Sequence, residues 1–465
     1  MPTEQLLNKR PMLNRPFLCL ILVVCFAAKN SIAEVQPNVL FIAVDDLNHW
    51  VGHLKRNQQT VTPNLDRLAR WGVSFEKAYC AAPACNPSRA ALMSGMRPST
   101  TGVYHNSNDY RPHIKPSQTL NSHFRANGYR VTGAGKIYHG TYGRRAEWDD
   151  YLKRPRVPSK GAYSKSDYNG VRWSVLKGGD DVVGDYFTVN YCIDELKKTD
   201  RDRPFFLACG IFRPHMPWSV PKKYFDMHPL SEIELPPYRE DDLNDIPAVG
   251  VKTAKPTGDH RAIRKGDAWK EAIQAYLASI TYADAQLGRL LDAFEQSPWM
   301  DNTVIVLWGD HGWHLGEKHH WRKFALWEEA TRAPLIWVAP GTTPKGKICP
   351  RTVDFMSVYP TLCDLAGLEK PGHLDGISIL PLLKNPDLAW DHPAITTHGR
   401  NRHAVRSERF RYIRYEDGSE ELYDHDADPY EWKNLAAAAK NDGVKAQLVK
   451  SFPAINVPEV ARSKK

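Results

Sequence analysis

The sequence predicts an α/β protein in which a large, mostly parallel β-sheet is flanked by helices and followed by a smaller antiparallel region. Helical patterns lie between short apolar runs, and strands that alternate with helices are typical of this class. The runs are too continuous for half-exposed strands and too short for helices. They lie at residues 38–44, 129–135, 204–212 and 303–309. A chain of 465 residues with 42% hydrophobic content can bury one large core or two unequal ones.

The helices are predicted most clearly at residues 63–72 and 267–296, where apolar residues recur at helical spacing. Residues 141–200 and 220–265 are rich in Pro, Gly, Lys and Asp and show weak periodicity. We expect them to be long surface excursions that shape a cleft. After Pro381 the pattern changes to short alternating segments joined by a turn, which predicts an antiparallel hairpin in a smaller C-terminal subdomain.

The N-terminus has the composition of a secretory signal peptide. Basic residues precede the apolar run of residues 16–28, and the small residues Ser31 and Ala33 follow it. The run is shorter than the roughly 20 residues that span a bilayer, so stable membrane insertion is not expected, although an uncleaved anchor is the alternative. We therefore predict a signal peptide at 1–33, a catalytic domain at 34–385, a C-terminal subdomain at 386–465, and export to the periplasm or the extracellular space.

Removal of residues 1–33 takes away four basic residues and one acidic residue and lowers the formal charge from +9 to +6. A mildly basic exported protein suits anionic substrates, although such a charge also serves solubility alone. We expect no nucleic-acid partner, since the sequence lacks arginine-rich helices, zinc-ligand spacing and interleaved aromatic and basic residues. The six remaining cysteines are scattered without a disulfide framework or a paired C-x-x-C site.

Two of the predicted strands end in charged residues. Asp45 and Asp46 follow the first run, and Asp310 and His311 follow the run at 303–309. Ligands of open α/β sheets bind outside the carboxyl ends of the strands, so both pairs are expected on one face. Gathered carboxylates need a cation, and oxygen ligands indicate Ca²⁺, with Mg²⁺ as the alternative. A single pair could instead cap a helix, and His311, an unusual ligand for a hard cation, could instead contact the substrate.

The stretch "YCAAPACNPSRAALMSGMRPS" places a cysteine at a predicted helix entrance. Cys85 is followed at fixed distances by Pro87, Ser88 and Arg89. A lone cysteine is ordinarily a buried structural thiol. A helix entrance, however, supplies positive potential for an anion, which suits a reactive group at this position.

These residues resemble the type I, formylglycine-dependent sulfatases of the alkaline phosphatase superfamily. The similar segments are "PNVLFIAVDDL", "CNPSRAALMSGMRPSTTGVY", "GKIYHG", "RPHMPW", "GDHGWHLGEKHHWRK" and the ending "LYDHDADPYEWKNLA". The similarity begins near residue 36 and covers nearly all of the mature chain, and within the family it is greatest to the iduronate-2-sulfatase group. The resemblance implies an alkaline-phosphatase-like sandwich that hydrolyses sulfate monoesters.

The resemblance also implies a cofactor made from the chain itself. In this family the cysteine of C-x-P-S-R is oxidised to formylglycine during export, and Cys85 matches that cysteine. A formylglycine-generating enzyme is therefore an implied partner during maturation. The hydrated aldehyde offers two geminal hydroxyls, of which one attacks sulfur and the other later expels sulfate.

The resemblance implies six catalytic residues: Cys85, Arg89, Lys136, His139, His215 and Lys323. Arg89 would hold the hydrated aldehyde and the local carboxylates together. Lys136 would anchor sulfate oxygens, and His139 would take the proton that drives sulfate expulsion. His215 and Lys323 would bind the sulfate and protonate the leaving oxygen. Seen one at a time, such lysines and histidines are more often solvated loop residues.

The predicted substrate is a sulfated oligosaccharide, with a 2-O-sulfated uronic acid at its end favoured. Trp313 is expected to form a wall of the substrate pocket, and Arg111 and Arg322 are candidate partners of the uronate carboxylate. One alternative is a formylglycine-dependent phosphodiesterase or phosphonate monoester hydrolase, because sulfate monoesters and phosphodiesters carry the same charge. A secreted sugar-binding protein on a degenerate scaffold is the non-enzymatic alternative, and the chemically competent residue at each motif position argues against it.

Overall fold

A computed structural model gives the structure of residues 36–153, 155–158, 160–198 and 202–463. The strands in these ranges are β1 (Asn38–Val44), β2 (Val73–Tyr79), β3 (Arg130–Gly135), β4 (Asp150–Lys153), β5 (Ala162–Tyr168), β6 (Val171–Leu176), β7 (Phe205–Ile211), β8 (Trp218–Pro221), β9 (Thr303–Gly309), β10 (His314–Leu315), β11 (Trp321–Arg322), β12 (Leu335–Val338), β13 (Lys347–Asp354), β14 (Ala394–Thr397), β15 (His403–Arg406), β16 (Phe410–Arg414) and β17 (Glu420–Asp424).

The α-helices of the same ranges are α1 (Pro63–Trp71), α2 (Cys85–Ser94), α3 (Pro98–Thr101), α4 (Leu120–Ala126), α5 (Gly184–Leu196), α6 (Lys222–Asp226), α7 (Ala248–Ala254), α8 (Asp259–Lys265), α9 (Trp269–Glu295), α10 (Glu328–Thr331), α11 (Val358–Leu365), α12 (Leu380–Lys384) and α13 (Asp442–Val449). No helix among the described residues combines the length and apolarity needed to cross a membrane. The predicted signal peptide lies outside the described residues.

The central feature is an eight-stranded sheet in the order β13-β2-β12-β9-β1-β7-β3-β4. The strand β1 lies inside the sheet and pairs in parallel with β7 on one side and with β9 on the other. Only β12 runs antiparallel to its neighbours, β2 and β9. The prediction of a large, mostly parallel sheet is therefore confirmed, and all four predicted sheet strands belong to it.

Both faces of this sheet are covered, which explains why its strands are apolar without interruption. Alternate residues of β1 enter two cores: Leu40 and Ile42 pack with residues of the long helix α9, whereas Phe41 packs on the opposite face with residues of α2 and α4. The helix α9 presents a stripe that includes Ile273 and Leu287 to the first core. The predicted helices at 63–72 and 267–296 correspond to α1 and α9.

The prediction of surface excursions at 141–200 and 220–265 was wrong in part. The helix α5 lies within the first of these segments and buries Val189, Cys192 and Leu196 in the core. The same helix also buries polar residues, among them Asp185, whose carboxylate accepts the backbone N–H groups that follow β7. Because buried polar residues interrupt the apolar spacing, the sequence pattern did not indicate this helix. The second segment contributes α6, α7 and α8.

The C-terminal part forms a four-stranded antiparallel sheet in the order β14-β15-β16-β17, as the sequence predicts. The turn at Asp417-Gly418 joins β16 to β17. Ile413 and Tyr423 of this sheet pack with Leu326 and Trp327, which follow Lys323 in the chain. Residues 36–463, within the described ranges, belong to one compact unit, so the boundary at residues 385 and 386 stays a prediction.

Candidate active site

The two acid pairs lie side by side at the carboxyl edge of the central sheet. Val44 is opposite Gly309 in the register of β1 and β9, so the residues that follow these strands emerge at the same level. The backbone N–H of Asp46 donates to Oδ1 of Asp310 over 2.9 Å. Both carboxylates, together with that of Asp45, are fully buried. The structure thus brings together the three acids that the sequence analysis assigned to one face.

Cys85 is the first residue of α2 and points into the same cluster. Its Sγ atom lies 3.1 Å from Nζ of Lys323, 3.4 Å from Nε2 of His311 and 3.7 Å from Oδ1 of Asp46. The side chain is fully buried. The N–H groups of the first turn of α2 add positive potential at this point.

Arg89 joins the helix to both strand ends. It lies one helical turn after Cys85 and therefore on the same face of α2. Its Nε donates to Oδ2 of Asp310 over 2.9 Å, and its Nη2 donates to Oδ1 of Asp45 over 3.0 Å. Its Nη1 donates to the carbonyls of Lys136 and Ile137. The planar guanidinium fork therefore fixes α2, β1, β9 and the end of β3 relative to one another.

Lys136 follows β3 and forms an ion pair with Asp45. Its backbone N–H donates to the carbonyl of Gly210 in β7 over 2.9 Å. A Cβ atom at position 210 would lie 2.4 Å from the backbone N and C atoms of Lys136, so only glycine permits this approach. The sequence analysis missed Gly210, although a glycine inside an apolar strand is a known sign of close backbone contact.

The two predicted catalytic histidines also face the cluster. His139 lies close enough to Cys85 to help lower the pKa of that thiol, while its buried Nδ1 has no hydrogen-bond partner among the described residues. His215 follows β7, and its Nε2 lies 3.8 Å from Oδ2 of Asp46. Its Nδ1 lies 2.6 Å from the carbonyl of Met216. Because a carbonyl can only accept, this contact places the proton on Nδ1 and turns Nε2 toward the acids.

The substrate-wall role predicted for Trp313 disagrees with its position. The side chain is buried with 1% exposure, and its ring lies 5.1 Å from Nζ of Lys323. A fully covered ring cannot offer a face to a substrate. Trp313 instead supports the lysine through a cation–π contact and packs against Tyr276 and Trp218.

The two predicted carboxylate-binding arginines lie outside the cluster. Arg111 forms an ion pair with Asp109 and stacks over Tyr142, whose ring contacts that of His139. Arg111 is therefore separated from His139 by the side chain of Tyr142. Arg322 forms an ion pair with Asp259 and lines a neighbouring cavity.

The cluster stabilises negative charge at position 85. Burial raises the pKa of the Cys85 thiol, but the charges of Lys136, Lys323 and His311 outweigh burial, and the pKa lies well below its ordinary value. Burial, only partly offset by Arg89 and His311, raises the pKa of Asp310 to about 7. For Asp45 burial is outweighed by the charges of Lys136, His215 and Arg89, and the pKa lies below its ordinary value. An anion is thus favoured at residue 85, and additional positive charge is favoured at Asp310.

The acids and His311 fit a divalent cation. One ligand atom from each of Asp46, Cys85, Asp310 and His311 lies within 4.8 Å of the others. Oδ2 of Asp46 is buried and has no hydrogen-bond partner among the described residues. Nδ1 of His311 lies 3.0 Å from the carbonyl of Gly312, which leaves Nε2 directed at the acids. A buried carboxylate oxygen without a donor is what a metal ion would satisfy.

Comparison with known proteins defines the class. A profile of the sulfatase family matches residues 37–368, and a profile described as N-sulphoglucosamine sulphohydrolase, C-terminal, matches residues 316–457. The chain therefore belongs to the sulfatase family, within the alkaline-phosphatase-like superfamily. It is accordingly a sulfuric ester hydrolase.

Named relatives support this assignment, and a solved structure shares the fold. A sulfatase of Formosa agariphila is 41% identical over 90% of this chain and 87% of its own length. Human iduronate 2-sulfatase is 30% identical over 72% and 70% of the two chains, and a Δ4,5-hexuronate-2-O-sulfatase of Bacteroides thetaiotaomicron is 29% identical over 92% and 89%. The phosphonate monoester hydrolase of Agrobacterium radiobacter, at 22% identity and a TM-score of 0.76 over 89% and 94%, shares the fold.

The role of Arg89 can be measured through stability. In Arg89→Met two buried carboxylates lose their partner, and we expect the free energy of unfolding to fall by about 3–5 kcal/mol. Arg89→Lys should recover only part of this loss, because an ammonium cannot reproduce the fork. Chemical denaturation measures both variants. The control is Arg145→Met, which removes a half-exposed ion pair with Asp150 and should cost under about 1 kcal/mol. Equal losses in Arg89→Met and Arg145→Met would contradict this role.

Proposed function

We propose that this sulfatase hydrolyses sulfate monoesters of sulfated sugars, with a 2-O-sulfated uronate at the chain end as the favoured substrate, and that residue 85 acts as formylglycine. The observation that carries the proposal is the position of Cys85, which lies at a helix N-terminus, touches Lys323 and His311, and borders three buried carboxylates. The uronate is favoured because two relatives are named for 2-sulfated uronates.

The proposal includes two groups that the chain would acquire. Formylglycine would supply a hydrated aldehyde, of which one hydroxyl displaces the alcohol from sulfur and the other expels sulfate. A divalent cation, Ca²⁺ in preference to Mg²⁺, would supply a Lewis acid for the sulfate oxygens and would be held by Asp45, Asp46, Asp310 and His311.

The other side chains bind sulfate and move protons. Lys323 lies 3.1 Å from Sγ of Cys85, and Lys136 forms an ion pair with the neighbouring Asp45. Both would hold sulfate oxygens, since they place positive charge near residue 85. His215 holds one proton on Nδ1 against the Met216 carbonyl. When the ring also carries a second proton, Nε2 is the atom that would give that proton to the leaving alcohol oxygen. His139 helps to lower the pKa of Cys85 and would accept the proton released when sulfate departs.

Export and maturation belong to the same proposal. The signal-peptide pattern of residues 1–33 would direct the chain out of the cytoplasm, to the periplasm or the extracellular space. A formylglycine-generating enzyme would act on the C-x-P-S-R segment during export. The burial of Cys85 in the folded chain supports this order, because a second enzyme reaches the thiol most readily before folding is complete. The catalytic domain would end near residue 385.

Conversion of Cys85 can be measured in one tryptic peptide. Cleavage after Lys77 and Arg89 releases residues 78–89, which contain both Cys80 and Cys85. In protein expressed with a formylglycine-generating enzyme, we expect thiol alkylation at Cys80 alone and an aldehyde mass at residue 85. Cys80 thus serves as the control for labelling. Two alkylated thiols, together with full sulfatase activity, would exclude formylglycine as the nucleophile.

The cation site can be tested with Asp46→Asn. The amide cannot supply the charge of the unpartnered carboxylate oxygen, so we expect Ca²⁺ affinity to fall and sulfatase activity to drop at least about 100-fold. Calorimetric titration of chelator-treated protein with Ca²⁺ and with Mg²⁺ measures the affinity and identifies the preferred ion. Asp226→Asn, at an exposed acid paired with Lys222, is the control and should bind like the wild type. Unchanged Ca²⁺ binding in Asp46→Asn would show that the cation does not bind at Asp46.

The substrate class can be decided with a panel of esters. We expect sulfate release from 2-O-sulfated uronates derived from heparin or dermatan, and faster turnover of an aryl sulfate than of the matching aryl phosphodiester. Ion chromatography measures released sulfate directly. Release of sulfate only from neutral galactose sulfates would contradict the proposed uronate substrate and would leave the sulfatase assignment unchanged. Faster turnover of the phosphodiester would favour the phosphodiesterase or phosphonate monoester hydrolase alternative.

A further inference from the structure

A cavity of about 560 Å³ lies beside the candidate active site. One wall is the segment 320–324, and the remaining walls come from residues 249–260 and from the loops that carry His398 and Glu416. Arg322 and Phe324 line this cavity, whereas Lys323, which lies between them in the chain, reaches Sγ of Cys85 at 3.1 Å. Consecutive residues of one segment therefore face the cavity and the reacting centre.

The cavity carries an excess of positive charge. Its long cationic side chains are Lys252, Lys255, Arg322 and Arg402. The two arginines are neutralised, because Arg322 pairs with Asp259 over 2.6 Å and Arg402 pairs with Glu416. Within the described ranges, neither lysine forms an ion pair. The cavity thus presents two uncompensated ammonium groups beside a site that binds an anion.

The position of Lys255 and the ring of Phe324 define what the cavity can accept. Lys255 lines the cavity together with His320 and His398. Its charge adds to the burial that lowers the pKa of both histidines. Phe324 is half-buried, with its ring 6.1 Å from that of His398. An aromatic face beside cationic groups suits a sugar ring that bears an anionic substituent.

We infer that this cavity is a second subsite, in which Lys252 and Lys255 bind an anionic group on the sugar next to the one that carries the reacting sulfate. The inference rests on the proposed function, because it extends the same substrate. The anionic group is a carboxylate or a second sulfate, which share the same recognition by ammonium groups. Arg322, predicted as a partner of the uronate carboxylate, would contribute hydrogen bonds rather than net charge, since Asp259 neutralises it.

The test is the double variant Lys252→Gln/Lys255→Gln. For a disaccharide with a 2-O-sulfated uronate and a second sulfate, we expect KM to rise at least about tenfold with kcat within about twofold of the wild type. The rise should be much smaller for 4-nitrophenyl sulfate, which lacks a second anionic group. The control is Lys265→Gln, an exposed lysine outside the cavity, which should leave both KM values unchanged.

Two further disaccharides identify the anionic group. One has no anionic group on the second sugar, and the other has a carboxylate there in place of the second sulfate. The effect of the double variant should vanish for the first, and it should persist for the second only if the two lysines bind a carboxylate. Equal KM changes for disaccharide and aryl sulfate, or no change for either, overturn the subsite. If the wild type desulfates the aryl ester but no saccharide, the proposed substrate fails instead. In that case, calorimetry measures the affinity of the disaccharides for Cys85→Ala with and without the lysine substitutions. A loss of affinity on substitution of the lysines supports the subsite, and equal affinities overturn it.

Discussion

The site depends on the burial of three carboxylates at the ends of two adjacent strands. The carboxylates of Asp45, Asp46 and Asp310 are buried close together because β1 and β9 are paired in register. Such an arrangement is stable only where positive charge reaches it. Arg89 provides the fixed part of that charge and contacts two of the three acids. Since Cys85 precedes Arg89 by one turn of the same helix, the contact that stabilises the acids also sets the position of Cys85.

The other positive charges belong to Lys136 and Lys323, which are far from Arg89 in the sequence. Lys136 reaches Asp45 because Gly210 lets the end of β3 approach β7 more closely than any side chain would permit. Lys323 reaches Asp46 and Cys85 on an irregular segment beside the C-terminal antiparallel sheet. Each cation is thus fixed by backbone contacts outside the cluster. Groups fixed in this way need little reorganisation when charge develops on a substrate.

The sequence predicted the parts of this arrangement that depend on pattern. Continuous apolar strands that end in Asp45, Asp46 and Asp310 indicated the sheet edge, and the spacing from Cys85 to Arg89 indicated the helix. It could not indicate how buried Trp313 is, because a tryptophan beside a charged cluster suits both a substrate wall and a support for a lysine. The sequence did predict that residues 220–265 help to shape a cleft, and residues 249–260 line the cavity. It did not single out Lys252 and Lys255, because they lie in a segment of weak periodicity and only the fold brings them to the cavity that residues 320–324 also line.

The segment 318–324 shows how catalysis and substrate choice are coupled. Lys318, His319, Arg322 and Phe324 all have positive φ angles, which are costly for residues other than glycine. The conformation is maintained by contacts from several directions: the His320 ring lies between the carbonyls of Ala254 and Lys323, and the Phe324 N–H donates to Pro83. A strained segment fixed at both faces has few alternative positions. In the proposed subsite, a bound sugar would meet the same rigid element that places Lys323 beside Cys85. A neighbouring sugar that fits poorly would therefore also displace the sulfate ester from residue 85.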